Sequence, residues 1–156
     1  MVIFGIDPGF TGAIAVFRPN TWSLDVYDMP VLPNAKGKTE INLFALHDVL
    51  EREGDGRHIA VVEQVSAMRG QGVSSMFRFG QGFGAVQMGL ASHKIETHYV
   101  TPAKWKGYFG LSKDKGVSRG LAAQRFPSYA EKFKRVKDDG RAEATLLALY
   151  GAEVVL

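Results

Sequence analysis

Short apolar runs rich in β-branched residues alternate with stretches of helical periodicity along the 156 residues. Val2, Ile3, Phe4 and Ile6 form the first run, and Asp7-Pro8-Gly9 with Gly12 ends it, which predicts a strand over Val2–Asp7 and a turn after it. Strands are also predicted over 13–17 and 23–27, with Arg18-Pro19-Asn20 turning the chain between them, so that the chain opens as a three-stranded antiparallel meander. Residues 29–39, with Pro30, Pro33 and Gly37, read as a loop. Ile41, Leu43, Phe44, Leu46, Val49 and Leu50 then recur at helical spacing up to Gly54. His58–Glu63 is a second β-branched strand, and like the first it terminates in a carboxylate.

Residues 64–72 read as a loop and Val73–Ser92 as a long helix. In that helix Gly80, Gly84 and Ala85 would admit the close approach of another helix or strand, and Phe77 and Phe79 read as packing residues, with Met76 beside them at a candidate dimer contact. A fifth strand is predicted over 95–100. Thr101-Pro102 then opens a short helix over 103–108, with Thr101 as cap. A Gly- and Lys-rich loop, 110–116, leads to a helix over 117–125 that Phe126-Pro127 breaks. The last helix, 141–150, ends at Gly151. A meander followed by strands alternating with helices argues for an α/β fold with a mixed sheet and helices on both faces, as one domain over 1–156.

Composition changes this picture little. The chain is 46% hydrophobic with a net charge of +3, ordinary for a globular protein, but basic residues such as Lys132, Lys134, Arg135 and Lys137 gather in its C-terminal half, which suits a polyanionic partner. The absence of cysteine excludes a disulfide framework and cysteine-based zinc sites. No signal-like segment opens the chain and no apolar run is long enough to span a bilayer, so a cytoplasmic protein without a membrane partner is expected.

The chemistry lies in the acids. Asp7 and Glu63 each end a strand, and Asp138-Asp139-Gly140-Arg141-Ala142-Glu143 opens the last helix. Asp139 and Glu143 are one helical turn apart, where like charges repel. Singly, such residues are ordinary: an acid after a strand is a turn residue, and acids in a first helical turn favour the helix dipole. Together they form the oxygen-rich layout that divalent cations such as Mg²⁺ require.

Phe4-Gly5-Ile6-Asp7-Pro8-Gly9, Val62-Glu63-Gln64-Val65 and the Asp-Gly-Arg-Ala-Glu-Ala stretch from Asp139 to Ala144 resemble the motifs of the RuvC-type crossover junction endodeoxyribonucleases, the Holliday junction resolvases of the ribonuclease H-like superfamily. The resemblance runs over nearly the whole chain and is nearest to phage-type members. It implies a ribonuclease H-like five-stranded fold, a homodimer, and nicking of four-way DNA junctions with two Mg²⁺ or Mn²⁺ ions, leaving 5′-phosphate and 3′-hydroxyl ends. Carried across, Asp7 and Glu63 match the strand acids and Glu143 the second helix acid, a position more usually Asp. The first helix acid of the family falls three residues before the second, where Gly140 stands; Asp139 takes that role, with Asp138 as the alternative. Lys106 and Lys115 match two family lysines that act as backbone or transition-state contacts.

Lys104, Lys106, Lys113 and Lys115 surround Trp105, Tyr108 and Phe109, a basic and aromatic mixture suited to DNA, although Trp105 and Phe109 read as core. Met68, Arg69 and Gln71 form a polar loop after the Glu63 strand, placed to enter a junction; some family members stack an aromatic residue there. The histidines receive no chemistry. Three alternatives stand beside the resolvase: a fork or flap nuclease of the same fold, an actin- or sugar-kinase-like nucleotide site, which closes between two related domains, and a junction binder without activity, for which carboxylates facing phosphate bring no gain.

Overall fold

The computed structural model describes residues 1–54, 56–66, 70, 72–112 and 115–156, with the backbone alone at 115. Its centre is a mixed five-stranded sheet of strands β1 (Val2–Asp7), β2 (Ala13–Arg18), β3 (Ser23–Asp28), β6 (His58–Glu63) and β7 (Glu96–Val100), in the order β3-β2-β1-β6-β7. The expected meander is the antiparallel half, β1 with β2 and β2 with β3, while β6 and β7 add in parallel on the other side of β1.

Alternation of side chains sorts the sheet into two faces. Ile3, Ala13, Ala15, Phe17, Ile59 and Val61 pack with helix α5 (Asp139–Tyr150), while Phe4, Ile6, Ile14, Ala60 and Val62 pack with Leu46, Val49 and Leu50 of helix α1 (Leu43–Glu51) and with Val86 and Leu90 of helix α2 (Val73–Ser92). Asp7 and Glu63 belong by the same period of two to the α5 face. The parallel register Ile6↔Val62 places them side by side at the next step.

Two glycines set how closely α5 lies on the sheet. A β-carbon at Gly5 would collide with the Ala144 carbonyl oxygen and the Ala148 amide nitrogen, and one at Gly140 would stand 2.6 Å from the carbonyl oxygen of Thr11 in the β1–β2 turn. The helix therefore rests backbone-on-backbone against β1, with its N-terminus on the turn that follows Asp7.

Several sequence-based expectations need correction. Residues 29–39 are not all loop: strands β4 (Val31–Pro33) and β5 (Thr39–Ile41) form a small antiparallel hairpin, closed by Asn34, whose Oδ1 accepts from the Lys36 and Lys38 amides at 2.9 and 3.0 Å, and by Gly37 at φ +70°. Ile41 thus ends a strand, and Asn42 caps α1 by accepting from the Ala45 amide at 3.1 Å. Gly80 and Gly84 meet no described atom within 4 Å of an added β-carbon; the close approaches on α2 are at Gly82, against Ile41, and at Gly89, against Leu50. Phe77 is 66% exposed among the described residues.

Helix α3 (Pro102–Tyr108) starts as expected at the Thr101 cap, and helix α4 (Lys115–Arg125) begins two residues before the predicted start. Two short 3₁₀ turns, Pro127–Phe133 and Val136–Asp138, lead into α5, and Gly151 does not end the chain's last helix but passes it into a π-helical turn, Gly151–Val155. Among the described residues, no helix is long and apolar enough to cross a membrane.

Candidate active site

The C-terminal ends of β1 and β6 and the first turns of α5 bring the acids together. Asp7 stands where β1 gives way to the Pro8-Gly9 turn, and its Oδ1 accepts from the Gly9 amide at 3.2 Å. It lines a cleft of about 410 Å³ with Asp28, Asp139 and Glu143, and Arg135 and Lys137 add positive charge to the rim. Glu63 stands beside Asp7 on the same sheet face. Burial pushes its carboxyl up to about 7; the Trp105 hydrogen bond works against that shift, the negative charges of Asp7 and Glu143 add to it, and Lys106 opposes it.

The helix acids have basic partners. Lys106 Nζ donates to Oε1 of Glu143 at 2.8 Å, and Arg119 Nε donates to Oδ1 of Asp139 at 2.8 Å. These pairs relieve the repulsion that the four-residue spacing creates. Asp138 has another task. It is 1% exposed, and its carboxylate accepts from the Arg135 amide at 2.8 Å and from the Arg135 guanidinium at 2.8 and 3.1 Å; these bonds hold it ionised below the usual carboxylate range. Arg141 also reaches Asp138, at 3.7 Å, and donates twice to Asp28 at 2.6 Å, which ties the first turn of α5 to the end of β3. Both alternatives for the first helix acid line the cleft: Asp138 is buried and bonded to Arg135, and Asp139 is paired with Arg119.

Local chain geometry places the basic and aromatic partners. Glu63 pairs in register with Val100 at the end of β7, and the chain turns back at Thr101-Pro102 into α3. One turn later Trp105, 0% exposed, lies over Glu63 and donates its Nε1–H to Oε2 at 2.8 Å. Trp105 is core, as its apolar character predicts, and it is also a partner of the acid cluster. Lys106 Nζ sits 5.1 Å from the Trp105 ring centroid while it reaches Glu143. Lys104 is exposed on the outer side of α3. Met68, Arg69, Gln71, Lys113 and the side chain of Lys115 lie outside the described residues.

Reading the sequence missed Arg119, although it follows Lys115 by one helical turn and so shares that residue's face of α4. It also missed an exposed trio on α1, His47, Asp48 and Glu51, whose ligand atoms lie within 4.8 Å of one another and could hold a metal ion. This trio belongs to the helix layer on the opposite face of the sheet.

The donors at the sheet end suit a hard divalent cation. Asp7, Glu63, Asp139 and Glu143 offer carboxylate oxygen alone, and the proton affinity of Glu63 is raised first by burial, with the charges of Asp7 and Glu143 adding to it.

A mixed sheet of this order, with α5 against one face and acids gathered at the strand ends beside it, defines a ribonuclease H-like α/β domain. Solved structures share it over nearly the full length. T. thermophilus RuvC in complex with a Holliday junction substrate matches with a TM-score of 0.59 and 19% identity, over 97% of this chain and 92% of that one. Another structure of Thermus thermophilus RuvC matches at 0.60 and 17% identity, over 99% and 97% of the two chains. The fowlpox virus Holliday junction resolvase matches at 0.55 and 17%, over 100% of both. The chain therefore has the fold of the Holliday junction resolvases. No protein-family model and no curated protein matches the sequence.

Proposed function

We propose that this protein is a metal-dependent endonuclease that resolves four-way DNA junctions by paired hydrolytic nicks, leaving 5′-phosphate and 3′-hydroxyl ends. One observation carries the reading: acids far apart in sequence, Asp7, Glu63, Asp139 and Glu143, converge on one end of a sheet whose fold is that of a resolvase solved on a Holliday junction. A protein that only bound DNA would gain nothing from carboxylates in that position, because they repel phosphate.

In this reading Asp7, Glu63, Asp139 and Glu143 would hold two Mg²⁺ or Mn²⁺ ions, which would supply an activated water and charge neutralisation at the scissile phosphate and the departing 3′ oxygen. Glu63 and Asp7 orient the phosphate's surroundings from the sheet, and Glu143 and Asp139 from the helix. Lys106, already within the cluster, contributes positive charge toward the phosphate with Lys115. Lys104 and Lys113 contact the backbone of the arms, and Met68, Arg69 and Gln71 enter the junction centre. Paired nicks need two such sites, and a second copy docking on α2 supplies the other; Val73, Phe77 and Met88 are each at least 66% exposed there.

Incubation of the protein with an end-labelled four-way junction, a forked duplex, a linear duplex and ATP, each with Mg²⁺, tests the reading. Symmetric nicks in the junction support it. Preference for the fork points to a branched-DNA nuclease, ATP hydrolysis to a nucleotide site, and a mobility shift without cleavage overturns the nuclease assignment.

A further inference from the structure

The geometry points to Trp105 as a positioning residue for Glu63, a function that rests on the metal-site reading above. A buried indole N–H is a donor without acceptor capacity and needs a partner. Trp105 is 0% exposed, with its ring in the core cluster on the α5 face of the sheet, and its partner is Oε2 of Glu63 at 2.8 Å. Indole neither gives up nor takes a proton under these conditions, so its contribution is orientation. It holds one carboxylate oxygen and leaves Oε1 to face the cluster.

Glu63 needs such a restraint. It is the last residue of β6, and its three side-chain torsions give a longer reach than Asp7 has. The neighbouring Lys106 does the corresponding work on Glu143 at 2.8 Å and packs 5.1 Å from the indole centroid, so consecutive residues of α3 hold acids from the sheet and from α5. The short helix is thereby a strap across the strand ends, set by the Glu63↔Val100 register and the Thr101-Pro102 turn. Groups that orient metal-binding side chains in this way typically govern metal affinity 10–100-fold without touching substrate.

The test replaces Trp105 in the full chain with β-(3-benzothienyl)alanine, which keeps the bicyclic shape and puts sulfur where the N–H was. Mn²⁺ affinity is measured by calorimetry, junction affinity by fluorescence anisotropy in Ca²⁺, and cleavage as a function of Mn²⁺. The expected result is Mn²⁺ binding weaker by about tenfold or more, unchanged junction affinity, and cleavage restored at high Mn²⁺. Unchanged Mn²⁺ affinity in the folded variant overturns the proposal. A second measurement needs no change at Trp105: its indole N–H resonance in the wild-type protein should move on Mg²⁺ addition and on Glu63→Gln, and a resonance indifferent to both also overturns it. If the wild type cuts no branched DNA yet the Mn²⁺ shift is seen, the nuclease reading falls and the positioning of Glu63 stands.

Discussion

The backbone of Gly5 lies against that of Ala144, one residue past Glu143, with no room for a β-carbon between them. This contact joins fold to site: it lowers α5 onto β1 until the helix acid comes within the electrostatic reach of the strand acids. Gly5→Ala forces the helix away or strains both elements, and the expected loss of stability is about 3 kcal/mol or more, at the upper end for overpacking. Urea denaturation measures it, and a variant as stable as the wild type would show that the approach is not required.

Asp138 and Asp139 are adjacent and should behave oppositely. Asp138→Asn removes the ionised acceptor of the Arg135 and Arg141 pairs and should cost roughly 1–3 kcal/mol, with cleavage retained at temperatures where the variant is folded. Asp139→Asn loses a partly exposed pair with Arg119 and should change stability by less than about 1 kcal/mol, while cleavage falls steeply. Thermal melts and junction cleavage on the two variants separate the roles.

Glu63 makes the metal-free protein sensitive to pH. Its carboxyl titrates near 4.5 when the chain is unfolded and near 7 in the fold. Between those values the folded form keeps a proton that the unfolded form has shed, so this contribution to stability is present below the lower value and lost as pH rises through the upper one. The difference is on the order of 3 kcal/mol. Denaturation midpoints of the metal-free wild type should therefore drop between pH 5 and pH 8 more than those of Glu63→Gln, and Mg²⁺ should remove most of the difference. Equal slopes would contradict the raised proton affinity that burial gives Glu63.

Lys106→Ala leaves Glu143, 8% exposed, without its ammonium partner. The expected cost in the metal-free state is about 1–3 kcal/mol. Mg²⁺ should recover more stability in this variant than in the wild type, because the cation takes over the neutralisation. Differential scanning calorimetry with and without Mg²⁺ measures the recovery.

The strands Val2–Asp7 and His58–Glu63 were legible because β-branched runs end in a carboxylate, and their period of two already assigns both acids to the same face as Ile3 and Ile59. That they sit side by side was not legible, since register depends on long-range pairing. Pro30 and Pro33 hid the β4–β5 hairpin, whose signal was the Asn34 and Gly37 turn. Gly151 read as a helix stop, yet it is buried against Ile3 and Val61, and its lack of a side chain serves packing while the helix runs on. Trp105 was legible as core; its donor role was not, because only the fold brings Val100 and therefore α3 alongside Glu63. Pairing of Asp139 with Arg119 and of Glu143 with Lys106 likewise depends on helices that are distant in sequence.

In the proposed function Asp7 works in metal-dependent cutting of branched DNA and not in holding the fold or the DNA. The direct measurement is cleavage and binding of a labelled four-way junction by Asp7→Asn beside the wild type in Mg²⁺. Retained junction binding and an unchanged melting temperature, with nicking below detection, is the predicted result; nicking by the variant at the wild-type rate would contradict it.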